Sequence, residues 1–304
     1  MAILRYVSLM SMSDFEIVKT TTGATSIRNK VVNEIMHNPI GPWLEANALY
    51  VDQSELRNQL TNGLAEDFVL FDVGLGSASN AVASLDAALK LGGSAPRRRL
   101  HIVSFENNMA LLEFTLLNAH EFAHLRGYEA VLAEILNHHH WTSPCGSVVW
   151  DLRVGDFLQV IVTEPMKANL IFFDPYSPAV NEEMWTLKCF QQLRLHCADS
   201  APKDRDNISN SGPTNLYTYS IATPVRSAMI LAGFYVGYGL STGLKTETTQ
   251  AATQFCALKN PLAERWFKRW QRSHKPLPFD ATDDQGSEFR RFIVSHEQFH
   301  AFLS

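Results

Sequence analysis

Much of what would betray a common function is missing from this 304-residue chain. Its four cysteines (Cys145, Cys189, Cys197, Cys256) include no pair at CxxC spacing. That argues against a zinc ribbon or a disulfide frame and for reduced thiols, so no metal site is expected. No apolar run has the length of a membrane span. The mildly apolar start, Met1 to Met12, lacks the long apolar core and cleavage site of a secretory signal. A cytoplasmic protein with no membrane partner is expected. There is no Gly-Lys-Ser/Thr phosphate loop and no internal repeat. Basic charge is not in surplus either: 26 Lys and Arg stand against 31 Asp and Glu, a formal net charge of −5. The total therefore advertises no nucleic-acid partner, although the distribution of charge matters more than its sum. What is plentiful is apolar surface, 46% of residues, enough for a sizeable core.

The chain is organised around Phe68-Val69-Leu70-Phe71-Asp72-Val73-Gly74-Leu75-Gly76-Ser77. Its apolar run suits a parallel strand buried on both faces. Gly74 and Gly76 allow a sharp turn and a close backbone approach to a ligand. A helical pattern follows from Asn80 to Leu89, completing a strand–glycine-loop–helix unit of a nucleotide-binding α/β fold. The next apolar run, His101 to Glu106, ends in a carboxylate. In a doubly wound sheet that acid lies beside the glycine loop and can accept both ribose hydroxyls. Ser79 stands where a dinucleotide fingerprint wants its third glycine. A ligand with a ribose but no pyrophosphate fits better, and S-adenosylmethionine is the common one.

Further strands follow. Ser147–Val154 leads to Gly155-Asp156, whose carboxylate can meet an adenine amino group or cap the next helix. Leu170–Phe173 ends in Asp174-Pro175-Tyr176-Ser177-Pro178. An Asp at a central strand tip can accept an amine N–H, and Tyr176 offers a face for a planar base. Residues 197–213 read as an exposed insertion, and Gly92–Arg99 as a loop with a solvated basic run. Residues 243–251 read as the end of a hairpin that closes the sheet. Residues 107–137 are predicted helical and contain His120-Glu121-Phe122-Ala123-His124, an HExxH match. On a helix that spacing puts both histidines on one face, as a zinc peptidase needs. The predicted position of this helix, packed on the sheet away from the strand tips, argues against that reading, which stands as the alternative of a different class. Glu264–Lys275 mixes tryptophans with bases. It is either a helix docked by Trp266 and Trp270 with solvated charges, or an RNA contact.

Taken jointly, four stretches resemble the methyltransferase domain of the bacterial tRNA-modifying MnmC family. They are Thr22–Ile27 with Glu34–Asn38 and Glu45-Ala46; Phe71–Ser77; Asp174–Pro178 with Asn181 and Met184-Trp185; and Thr218–Ser220 with Val225-Arg226, Ala232–Phe234 and Gly243–Glu247. The resemblance covers residues 15–251. Thr22 and Ala24 replace Asp and Ser of the family pattern, and Met36 replaces Tyr. It implies a Rossmann-like class I S-adenosylmethionine-dependent methyltransferase: a seven-stranded, mostly parallel sheet, a small N-terminal β element and a C-terminal helical extension. The expected divisions are 1–64, 65–251 and 252–304. It also implies N-methylation of 5-aminomethyl-(2-thio)uridine at the tRNA wobble position, with a small amine as the alternative substrate. Asp174 and Tyr176 would be catalytic. Glu34, Met36, His37, Asp72, Gly74, Gly76, Glu106, Asp156 and Asp174 would hold the cofactor. The family's FAD-dependent oxidase half has no counterpart in the sequence read here. A separate oxidase, or the enzymes that form the 5-aminomethyl group, would then supply the amine.

Overall fold

A computed structural model describes residues 11–37, 39–61, 67–91, 98–200, 212–241 and 247–302. The expectations for residues 92–97, 201–211 and 242–246 lie outside them. Three antiparallel strands come first: β1 (Phe15–Lys19), β2 (Thr25–Asn29) and β3 (Glu34–Ile35). The main sheet follows, built from β4 (Phe68–Val73), β5 (Leu100–Glu106), β6 (His140–Thr142), β7 (Val148–Val154), β8 (Leu170–Phe173), β9 (Asn215–Thr218), β10 (Tyr235–Gly239) and β11 (Thr248–Ala252). Its order is β10-β11-β9-β8-β4-β5-β7-β6. The five strands from β9 to β7 run parallel; β10, β11 and β6 are antiparallel to their neighbours.

The sheet has eight strands where seven were expected. The extra one is β6, a three-residue edge. His139 adopts φ +57° at the end of the preceding helix, and this left-handed residue turns the chain back to pair with β7. The central strands are apolar because both faces are covered: every residue of β4 and β8 is buried. Helix α1 (Ser79–Leu89) lies under one face with the segment Ala46–Asp52, a π-helical stretch. Helices α4 (Leu187–Leu195) and α5 (Thr223–Leu231) cover the other.

The single helix expected over 107–137 is broken. Helices α2 (Ala110–Leu117) and α3 (Glu129–His138) are separated by two short 3-10 turns, Ala119–Glu121 and Ala123–Leu125. Phe122 is the cause: it is extended, with φ −111° and ψ 93°, and 2% exposed. Burying that ring takes the backbone out of the helix. His120 is left exposed, while His124 turns inward and stacks on Trp43, ring centroids 5.6 Å apart. The two histidines therefore share no helical face.

Residues beyond 252 form helices α6 (Glu264–Gln271) and α7 (Gly286–Val294). Trp266, Phe267, Trp270, Ile293 and Phe299 enter the same core as Val236 and Met229. Trp266 and Trp270 dock the helix, while Arg265, Lys268, Arg269 and Arg272 of the same stretch stay exposed. N-terminal Phe15 likewise packs on Phe114, 5.8 Å between centroids.

Candidate functional site

The site lies at the C-terminal ends of β4, β5, β7 and β8, where diverging loops leave a crevice. Gly74 has φ +89°, and a Cβ there would stand 2.8 Å from the carbonyl oxygen of Asp174. Glycine is required on both counts. The turn is fastened by Gly74 N–H and Leu75 N–H, which donate to Phe105 O at 3.0 and 3.2 Å. A cavity of about 280 Å³ opens in front of it.

Glu106 is held by backbone amides. Gly76 N–H donates to one carboxylate oxygen at 3.0 Å, and Asn107 and Asn108 N–H donate to the other at 2.9 and 3.1 Å. Burial still pushes its pKa up, because desolvation outweighs the three amides. Asp156 both lines the cavity and caps the next turn, accepting from Leu158 N–H at 2.9 Å. The capping reading is therefore the observed one, and the carboxylate also faces the cavity.

Asp174 faces the same cavity, and Asn80 Nδ2 donates to its carboxylate at 2.7 Å. The following loop is pinned from several sides. Tyr219 hydroxyl donates to Pro175 O at 2.9 Å, and Trp185 Nε1 to Tyr176 O at 2.8 Å. Asn29 Nδ2 donates to the Tyr176 hydroxyl at 2.9 Å, and Ser177 hydroxyl donates to Glu34. The N-terminal sheet is thereby tied to the loop after β8.

The other expected residues fall in three places. Met36 lines the cavity directly. His37 lines a smaller adjoining pocket with Glu45, Ser77, Asn80 and Asp174. Its ring bridges Ser26 and Ser77, at 3.0 and 3.1 Å, so it ties β2 to the glycine turn. Burial, and then the neighbouring His124, pushes its pKa down to about 3. Glu34 is set back, bonded to Ser177. Asp72 lies beneath the glycine turn, fully buried, and accepts from Ser104 hydroxyl at 2.7 Å. Its other oxygen has no hydrogen-bond partner among the described residues, and burial pushes its pKa up to about 7.

Sequence reasoning missed Asn80, Tyr50 and Tyr219. Tyr50 Oη is buried without a hydrogen bond of good geometry. It lies close enough to Asp174 and Glu45 that, after burial itself, their charges push the phenol well above its usual range. Asn80 carried a usable signal, since the first turn of a helix after a glycine loop points back at the strand tips. Tyr50 carried none, because an aromatic at a helical position reads as core, and Tyr219 was visible only as part of the Thr218–Ser220 resemblance. Among the described lining residues of both pockets, acids are present and no Lys or Arg is.

The fold has counterparts among known proteins. A family described as S-adenosyl-L-methionine-dependent methyltransferase matches residues 119–254. The chain is 25% identical over 253 residues to the tRNA 5-methylaminomethyl-2-thiouridine biosynthesis bifunctional protein MnmC of Burkholderia vietnamiensis. That match covers 81% of this chain and 35% of that protein. The MnmC of Ectopseudomonas mendocina is 33% identical over 124 residues, covering 41% and 17%. The chain spans about a third of the length of the curated relatives it matches over most of its own length. The crystal structure of MnmC2 from Aquifex aeolicus superposes with a TM-score of 0.66 at 20% identity, covering 99% of this chain and 90% of that one. The fold is that of a class I methyltransferase.

Proposed function

We propose that this chain, an MnmC-like S-adenosylmethionine-dependent methyltransferase, methylates the primary amine of 5-aminomethyl-(2-thio)uridine at the tRNA wobble position. The observation that carries the reading is Asp174. An acid at the tip of a central strand shares one cavity with the glycine turn and with Glu106.

The cavity suits the cofactor. Its lining is acidic, as a ligand carrying a sulfonium and an α-amino group would favour. Gly74 and Gly76 leave the backbone bare, and Glu106 offers a buried carboxylate for ribose hydroxyls. Asp156 stands across the cavity for an adenine amino group. Met36 and His37, beside the N-terminal sheet, line the remaining side, with Glu34 set behind them on Ser177 and Asp72 beneath the turn. S-adenosylmethionine, when bound there, supplies an electrophilic methyl group.

The chain's own part concerns the amine. An alkylammonium has no lone pair, so it must give up a proton before it can act as a nucleophile. Asp174 accepts its N–H hydrogen bonds and takes that proton onto its carboxylate as general base. Asn80 fixes which way the carboxylate points. Tyr176, held by Asn29 and Trp185, presents its ring to the pyrimidine. Holding two reactants in line contributes most of the rate. The amine itself comes from a separate oxidase-type step or from the enzymes that build the aminomethyl group. The setting is cytoplasmic, where tRNA is found; no described helix is long and apolar enough to cross a membrane.

The test is transfer of label from methyl-labelled S-adenosylmethionine to tRNA from cells that accumulate 5-aminomethyluridine. Label in the wobble nucleoside is the expected result. Cofactor binding with no label in that tRNA overturns the substrate.

A further inference from the structure

We propose that the exposed basic face of α6, continued through Lys275, is the surface that holds the phosphate backbone of the RNA while the acidic cavity takes the base. This rests on tRNA being the substrate. The cavity itself repels phosphate: Glu106, Asp156, Asp174 and Glu183 line it, with Glu45 in the adjoining pocket and no described lining Lys or Arg. A chain of net charge −5 must therefore gather its cations elsewhere to bind a polyanion.

Residues 264–275 do gather them. Arg265, Lys268, Arg269, Arg272, His274 and Lys275 are all exposed, and Glu264 is the single acid in the stretch. Positions 265, 268, 269 and 272 fall on one stripe of the helix. The stripe cannot rotate inward, since Trp266, Phe267 and Trp270 are 1–2% exposed on the opposite side. Two of the cations are modestly engaged: Lys268 pairs with Glu264 at 2.7 Å, and Arg269 stands 4.0 Å from Glu247. Exposed pairs of this kind are weak and give way to phosphate.

The helix also points the right way. It begins beside the start of β10, where Leu262 N–H donates to Val236 O at 3.0 Å. It ends where Trp270 Nε1 donates to Ser227 Oγ and Pro276 O, at 3.1 and 2.9 Å. Glu247, beside Arg269, immediately precedes β11, and Thr249 of that strand pairs with Thr218 at the ligand end of β9. The chain then reaches Asp280, which accepts from Leu187 and Lys188 N–H at the start of α4. Residues 269–280 thus run along the rim of the sheet that carries Asp174.

The test titrates an unmodified tRNA transcript with the full chain, read by fluorescence anisotropy at several KCl concentrations. The variant combines Arg265→Gln, Lys268→Gln, Arg272→Gln and Lys275→Gln. RNA affinity should fall at least about tenfold near physiological salt, and the log–log salt slope should shrink by about three. S-adenosylmethionine affinity should not change. A variant with wild-type affinity and slope overturns the proposal. If the fourfold variant loses cofactor binding, the pairs Arg265→Gln/Lys268→Gln and Arg272→Gln/Lys275→Gln are measured separately. Each should remove about half of the slope change, and neither doing so overturns it. A wild-type chain that binds the transcript with a steep slope but never methylates 5-aminomethyluridine leaves this surface standing and removes the substrate. Methylation with an unchanged variant KM does the reverse.

Discussion

The crevice at the strand tips and the outer face of α6 are both crowded with charge of one sign, and the fold treats them oppositely. In and under the crevice Glu106, Asp174 and Asp72 are partly or wholly buried and individually positioned. Glu106 has three backbone amides, Asp174 has Asn80, and Asp72 has Ser104. On α6 the guanidinium and ammonium groups stand in water above a tryptophan-docked underside. Charges of the first kind act at short range on one small cation and barely feel salt. Those of the second kind act in sum on a polyanion and feel salt strongly. A total of −5 conceals both.

The sharpest way to separate the two regions is Asp174→Ala. Methyl transfer should fall by about a thousandfold while transcript affinity holds. A parallel loss of both, measured by single-turnover transfer and anisotropy, would dissolve the division. Next comes Gly74→Ala. The new Cβ meets the backbone of Asp174 and Pro175 at 2.8 to 3.0 Å, at a residue with φ +89°. Urea denaturation should show a loss of about 3 kcal/mol; a loss below about 1 kcal/mol would mean that the turn and the Asp174 backbone are not packed this closely.

A smaller effect is expected from pH. The folded chain holds His37 neutral down to about pH 3, whereas the unfolded chain protonates it near 6.5. Stability from this residue is complete above pH 6.5 and is lost as the pH falls below it. His37→Gln removes that dependence, so the stability gap between wild type and variant should close by about 2 kcal/mol from pH 8 to pH 5. The α6 variants should show no such change. Smallest is a spectroscopic shift. The Asp72 carboxyl carbon should titrate near pH 7, against about 4 for an ordinary aspartate, and adding the cationic cofactor should move the midpoint down. A midpoint at the ordinary value would place water beside Asp72.

The parts legible in the sequence were those fixed by neighbours in the chain. Apolar β4 followed by Gly74 and Gly76, and the acids closing β5 and β8, follow from burial and backbone freedom within a few residues. The expectation of one helix over 107–137 fails because helical spacing does not guarantee helical backbone; one buried ring, Phe122, decides otherwise. β6 was missed because three residues form a strand only after His139 turns the chain. Asn80, Tyr50 and Tyr219 gain their meaning from Asp174, which is 94 residues from Asn80, and periodicity carries no information at that separation.

The clasp between the N-terminal sheet and the loop after β8 has a consequence in time. Asn29 and Tyr176 are 147 positions apart, and Glu34 and Ser177 are 143. A ribosome releases the first hairpin long before the residues that fasten it exist. Loop closure over such a span is slow compared with pairing of adjacent strands. The hairpin can meet the glycine turn through His37 and Ser77, 40 positions apart, but its clasp to the loop after β8 closes only once that loop exists. The pocket is completed late in the life of the nascent chain, and a truncated product ending before Tyr176 would carry the glycine turn without the wall that closes it.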